Sequence, residues 1–219
     1  MEILSNVVDF ARANKSLIQS AIQPNQVGFL ILYVTNRCNF RCNFCFYSEE
    51  IEKGRKPDEL SEDELLKISK NVGPLIQLSL TGGEPFLRKE LVQITRSFIE
   101  NTNVRYITIP TNASMPNRML RYLEAILPQY PNTYFRLTFS IEGIGDVHDD
   151  IRSMPGSFRK IMQSYDSISP LRDKYRNLVI DSNSVFTART EGTLLETIKY
   201  LDVNFDFDNL SITYARGDV

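Results

Sequence analysis

Cys38, Cys42 and Cys45 are the only cysteines in a chain of 219 residues, and they share one short stretch, Cys38-Asn39-Phe40-Arg41-Cys42-Asn43-Phe44-Cys45, with the spacing C-x3-C-x2-C. Three thiols so close in sequence can wrap one metal centre. They are one ligand short of a closed tetrahedral zinc site, and one short of binding every iron of a four-iron cluster. An open metal position is a place for chemistry. The bland alternative is a zinc knuckle completed from a distance, and the chain's single histidine, His148, is the residue to complete it. Zinc sites more often bring their ligands in two close pairs.

Other residues of chemical interest fall at regular places along the chain. Gly82-Gly83-Glu84-Pro85, Asn112, Ser140 and Glu142, and Tyr214 and Arg216 each lie at or just beyond the end of an expected strand, and Asn183 and Ser184 lie on the fifth. Singly, each has a modest reading. Gly82-Gly83 suits a strand-to-helix turn needing positive φ. The Asn and Ser positions suit turns and strand ends, and His148 suits a satisfied loop. Gly143-Ile144-Gly145 lacks the third glycine and the following helix of a dinucleotide fingerprint.

The elements that must position these residues alternate strand and helix. Strands are expected at Phe29 to Thr35, Leu75 to Thr81, Val104 to Pro110, Tyr134 to Ile141, Leu178 to Phe186 and Asn209 to Tyr214. Ser61 and Glu64 form a capping box before a helix through Leu65, Leu66, Ile68 and Val72. Further helices run from about Lys89 to Asn101, from Pro116 to about Leu127, from Ser157 as cap to a stop at Pro170, and from Thr193 to Leu201. Ser48 to Asp58 reads as loop, and a long loop carries Glu142, His148, Asp149 and Arg152. Residues 1–28 read as a separate amphipathic helical extension, ended by Pro24. The fold class is therefore α/β: a partial (βα)6 TIM-like barrel of parallel strands over residues 29–219. In such a fold all the strand ends face one mouth. With no helix after the sixth strand, the chain reads as the core of something longer.

Bulk composition excludes several classes. Apolar content of 42%, charged content of 24% and a net charge of −2 describe a globular protein without a basic surface for nucleic acid. No apolar run reaches membrane-spanning length, and the N-terminus is acidic where a secretory signal is basic. Clustered cysteines argue against a disulfide framework and for a reducing, cytoplasmic setting.

Together these residues resemble the radical S-adenosylmethionine (SAM) superfamily. Cys38, Cys42 and Cys45, with Phe44 before the last cysteine, resemble its cysteine signature, and Gly82-Gly83-Glu84-Pro85 resembles its second motif. Ser140-Ile141-Glu142-Gly143 followed by His148-Asp149-Asp150-Ile151-Arg152 resembles the branch that holds sulfatase and peptide maturases and the molybdenum-cofactor enzyme. The resemblance implies that the three cysteines bind three irons of a [4Fe–4S] cluster, and that the fourth iron takes the amino and carboxylate groups of SAM. It implies that Gly82 and Gly83 let backbone approach the methionine part, with Glu84 and Pro85 beside its amino end. Asn112, Ser140, Glu142 and Asn183 would offer hydrogen bonds, Arg152 would pair with the SAM carboxylate, and Phe46 and Tyr47 would meet the adenine. The implied reaction is one-electron cleavage of SAM to a 5′-deoxyadenosyl radical that takes hydrogen from a substrate. The implied partners are an external donor of the flavodoxin or ferredoxin type and a peptide, protein or small-molecule substrate. A small-metabolite enzyme, a glycyl-radical activase and a non-catalytic iron–sulfur electron carrier are the other readings.

Overall fold

The computed structural model describes residues 27–53 and 59–215; the expected helix within residues 1–28, and Arg216, lie outside them. Six strands form one sheet in the order of the sequence: β1 (Phe29–Thr35), β2 (Gln77–Gly82), β3 (Tyr106–Thr111), β4 (Tyr134–Ser140), β5 (Leu178–Phe186) and β6 (Asn209–Tyr214). Every pairing is parallel. β1 and β6 are both edges, so the sheet is not closed. The fold is α/β with the expected strand order, and β5 and β6 have the expected bounds.

Between the strands lie α1 (Ser48–Lys53), α2 (Glu62–Asn71), a 3-10 turn (Pro85–Leu87), α3 (Leu91–Thr102), α4 (Pro116–Ile126), α5 (Asp146–Arg152), α6 (Ser157–Ile168), α7 (Leu171–Lys174) and α8 (Leu194–Asn204). The period-2 alternation of the strands divides the sheet into two faces. Leu78 and Leu80, Ile107 and Ile109, and Phe135, Leu137 and Phe139 turn to the helices and are wholly buried with Leu65, Ile94, Phe98, Met119 and Ile161. Burying such side chains stabilises the fold by roughly 1.5–3 kcal/mol each. The opposite face is mixed in character and more open, with Phe29, Ile31, Tyr106 and Tyr134 exposed on it. Its second row runs in register as Ile31, Ser79, Thr108, Arg136 and Val179.

The capping box at Ser61 is present, with Ser61 Oγ accepting from Glu64 N–H and Glu64 accepting from Ser61 N–H. Two expected loops are partly helical. Ser48–Lys53 is a helix with Glu49 and Glu50 in its first turn, where carboxylates favour the positive helix end, and with Ile51 buried. Asp146–Arg152 is a helix that opens directly after Gly143-Ile144-Gly145, where none was expected, and it buries His148, Ile151 and Arg152. Ser157 does not cap α6. Asp149 does, from the preceding helix: its carboxylate accepts from Gly156 N–H, Phe158 N–H and Ser157 Oγ–H.

Among the described residues no helix is long and apolar enough to cross a membrane.

Candidate cofactor site

The cysteine loop leaves β1 at Thr35 and is held from beneath by the turn after β2. Gly83 N–H donates to Thr35 O at 2.9 Å and Glu84 N–H to Arg37 O at 2.8 Å. A Cβ on Gly82, where φ is +148°, would stand 2.1 Å from Thr35 O; one on Gly83 would stand 2.2 Å from Arg37 O and 2.9 Å from Cys38 N. The glycines are thus required by the protein's own packing: their missing side chains let two loops lie against each other.

Glu84 locks the third loop to the other two. Its side chain is buried, Oε1 accepting from Thr111 Oγ–H at 2.8 Å and Phe86 N–H at 3.2 Å, and Oε2 from Asn112 N–H at 2.8 Å. Burial pushes its carboxyl up to about 7 against these donors. Pro85 begins the 3-10 turn. Asn112 then reaches back, donating to Asn39 Oδ1 at 2.9 Å, and Asn39 donates to Ser114 Oγ at 2.9 Å. The structure therefore places Glu84 and Asn112 as struts between loops. Glu59, which carried no sequence signal, anchors the loop's base: it accepts from Thr35 Oγ–H and Arg37 and pairs with Arg88 at 3.3 Å.

All three cysteines are free, and a cavity of about 260 Å³ is lined by them together with Phe40, Arg41 and Ile51. Burial pushes the Cys38 thiol up to about 11 despite a hydrogen bond from Phe40 N–H, with Glu84 and the other thiols adding to the rise. Burial likewise raises Cys45. Left alone, these thiols keep their protons; a bound cation reverses that preference. Among the described residues no group of three His, Cys, Asp or Glu side chains is placed to close on one metal ion. Three thiols line one cavity, a donor set that fits an iron–sulfur cluster, and His148, the residue a zinc knuckle would need, is not among its lining residues.

On the other side of the loop, α5 packs its buried Arg152 against Cys42. Nη1 donates to Cys42 Sγ at 3.5 Å and Nη2 to Glu142 Oε1 at 2.5 Å, while the guanidinium carbon lies 5.3 Å from the centre of the Phe44 ring. Burial opposes its charge, but Glu142 and Cys42 outweigh burial and raise its pKa. Glu142 is 0% exposed, and its second oxygen accepts from Val185 N–H at 2.6 Å. Each finds an opposite charge in the other, as a buried charge needs, while Arg152 Nε is left without a partner among the described residues.

His148 sits behind this pair, its Nδ1 accepting from Glu142 N–H at 3.1 Å. Burial, helped by Arg152, pushes its pKa down to about 3 from the ordinary 6.5. A neutral ring with one nitrogen occupied in this way is a positioning group. The sign of its pH effect follows. The unfolded chain takes up the proton that the folded chain refuses, so this contribution to stability is complete above pH 6.5 and is lost progressively as pH falls towards about 3. The two carbon-bound proton resonances of the chain's only imidazole are expected to stay at their neutral positions from pH 7 down to about pH 4. A titration centred near 6.5 would place the ring in water instead.

The remaining candidates lie at the mouth. Ser140 and Asn183 are register partners; Asn183 donates to Thr213 Oγ at 3.1 Å and accepts from Ser211 Oγ–H at 3.0 Å. Phe46 is 60% exposed, and the Tyr47 ring lies 4.9 Å from that of Tyr33. Tyr33 lies on the open face of β1, and only the fold reveals it as a neighbour of Tyr47. Tyr214 ends β6, exposed, 5.5 Å ring to ring from Phe186.

A three-cysteine loop after the first strand, a glycine turn after the second and an open parallel sheet define a class. The profile of the radical SAM superfamily matches residues 32–201, and the chain belongs to that superfamily. Its cofactors are a [4Fe–4S] cluster and SAM, and it is an enzyme family. Among curated relatives, the chain is similar to the GTP 3′,8-cyclase of Peptoclostridium acidaminophilum, 26% identical over 152 residues that make up 68% of this chain and 45% of that protein. It is 37% identical to the GTP 3′,8-cyclase of Pectobacterium atrosepticum over 87 residues, 38% of this chain and 26% of the relative. The chain thus spans less than half the length of these relatives. Among solved structures, anSMEcpe with bound AdoMet and the Cp18Cys peptide aligns with a TM-score of 0.61 at 21% identity, over 87% of this chain and 51% of the other. Streptococcus suis SuiB bound to S-adenosylmethionine aligns with a TM-score of 0.62 at 16% identity, over 95% and 46%. At these identities the structures share the fold alone.

Proposed function

We propose that residues 29–219 are the radical-generating core of an enzyme that takes a hydrogen atom from a peptide or protein substrate. The observation that carries the reading is one cavity lined by all three cysteines, Cys38, Cys42 and Cys45. When bound, the cluster and SAM supply one-electron cleavage of the sulfonium and the 5′-deoxyadenosyl radical. The chain supplies position. Cys38, Cys42 and Cys45 would hold three irons, leaving one for the amino and carboxylate groups of SAM. Gly82 and Gly83 shape the wall beside that position, Ser140 and Asn183 offer hydroxyl and amide groups at the mouth, and Phe46 and Tyr47 offer aromatic surface to the adenine. Glu84, Asn112, Glu142 and Arg152 hold these parts in register. No general acid or base is needed for hydrogen-atom transfer, which suits a site whose only histidine is buried and neutral. Electrons would come from a flavodoxin- or ferredoxin-type donor in the cytoplasm.

The pairing of Ser140–Gly143 with His148–Arg152 fits peptide maturases and the molybdenum-cofactor enzyme alike, and the likeness in fold to anSMEcpe bound to the Cp18Cys peptide is what leads us to a peptide substrate. The similarity to GTP 3′,8-cyclases favours a second reading, a nucleotide-sized substrate. The test is electron paramagnetic resonance of anaerobically reconstituted, dithionite-reduced protein, with and without SAM, followed by assay for 5′-deoxyadenosine. A reduced [4Fe–4S] signal that changes on adding SAM is expected. A signal indifferent to SAM would point to an electron carrier, and absence of a cluster would remove the reading. Stimulation of 5′-deoxyadenosine formation by GTP would select the nucleotide substrate.

A further inference from the structure

We propose that Arg152, acting through Cys42, raises the reduction potential of the cluster, with Glu142 limiting the effect. The inference rests on the reading that Cys38, Cys42 and Cys45 are the cluster ligands. The three sulfurs are not equivalent in this fold. Cys38 Sγ accepts from Phe40 N–H at 3.4 Å and stands 4.0 Å from the Asn112 amide. Cys42 Sγ faces a guanidinium at 3.5 Å. Among the described residues Cys42 is the one cysteine with a hydrogen bond from a cationic side chain.

That guanidinium is held in place on several sides. Phe44 covers its face, Glu142 takes Nη2, and Asn43 N–H donates to Ile151 O at 3.4 Å, tying the cysteine loop to the residue before Arg152. Its Nε is buried with no partner among the described residues. A side chain of this length, buried and braced, has little freedom to swing elsewhere.

The chemistry gives the sign. A charge-assisted N–H···S bond withdraws electron density from the thiolate, and the reduced cluster carries one more negative charge than the oxidised one. The bond and the positive charge therefore favour the reduced state. Glu142 opposes this, but it takes the other guanidinium nitrogen, Nη2, and Val185 N–H takes up its second oxygen. The pair leaves a positive end towards Cys42. Arg152 is then a positioning and tuning residue that acts through a ligand.

The test is an EPR-monitored redox titration of the reconstituted protein without SAM, for wild type, Arg152→Gln, Arg152→Lys and Glu142→Gln. Arg152→Gln is expected to shift the midpoint to lower potential and Glu142→Gln to higher potential, at equal iron content per folded chain. Arg152→Lys, which keeps the charge but not the fork, should fall between wild type and Arg152→Gln. Opposite shifts from the two partners of one ion pair cannot come from a merely structural role, which would lower cluster loading in both and leave the potential of the loaded fraction unchanged. Unchanged midpoints, or shifts of the same sign, overturn the inference. If Arg152→Gln does not fold, Glu142→Gln alone decides: a rise supports the inference and no change overturns it. Failure of wild type itself to form a cluster would instead remove the ligand assignment on which the inference stands.

Discussion

Cys42→Ala is expected to abolish cluster binding and leave the fold standing. The cysteine loop lies outside the buried cluster of apolar side chains that joins the sheet to its helices. Its path is fixed by contacts that do not involve sulfur: the Gly83 and Glu84 amides on Thr35 and Arg37, the Asn112–Asn39–Ser114 chain, and Glu59 beneath Arg37. Losing one half-buried thiol, and one acceptor for Arg152, should cost about 1 kcal/mol of stability. Two remaining cysteines cannot hold a four-iron cluster whose fourth iron is reserved for another ligand. The measurement is iron and sulfide per chain after anaerobic reconstitution, beside far-UV circular dichroism and a thermal melt. Iron content equal to wild type would show that Cys42 is not a ligand. A collapsed melt would show that the thiol has a structural role that these contacts do not explain.

Gly83→Val should be more damaging than a substitution next to a ligand-binding turn usually is. The sequence suggests that a side chain here would crowd SAM alone. The structure puts the added Cβ 2.2 Å from Arg37 O and 2.5 Å from Arg37 C, so it must push away the backbone immediately before Cys38. Neither contact is the movable end of a flexible side chain. We expect loss of SAM binding and cluster loading together, with destabilisation of roughly 1–3 kcal/mol from overpacking. Gly83→Ala should show the same pair of losses, because the first carbon already collides. Equilibrium dialysis with labelled SAM and an iron assay on the same preparation check this. A variant with full iron and weakened SAM binding would restore the simpler view that the glycine serves only the ligand.

These two substitutions also show how far the sequence could be read. The cysteines and the Gly-Gly turn were legible because their chemistry is local: three thiols on one loop, two residues without Cβ after one strand. Strands β5 and β6 were legible for the same reason, as β-branched runs between clear stops. What escaped was set by partners distant in the chain. The six-residue helix at Ser48 and the seven-residue helix at Asp146 are too short to show a period. The second is held by what it buries, and its Asp149 caps the helix that follows. Glu59 looks like one acid in a polar stretch until the fold sets it under Thr35, Arg37 and Arg88. Tyr33 looks like part of a strand until Tyr47 packs against it. Glu84 and Arg152 were legible as important, but their partners were not. A carboxylate or guanidinium in a motif suggests a ligand, and only the fold shows which protein groups it meets as well.

The Glu84 carboxylate has one more consequence. Its two oxygens join the amides of Phe86 and Asn112 and the hydroxyl of Thr111, while the Glu84 and Gly83 amides hold the chain before Cys38. Three loops from three successive strands are therefore tied together, and their protected amides are expected to exchange with solvent through a single shared opening rather than loop by loop. A fluctuation that frees the second turn frees the thiols as well, so the lifetime of the closed unit sets how long a bound cluster stays sheltered from solvent.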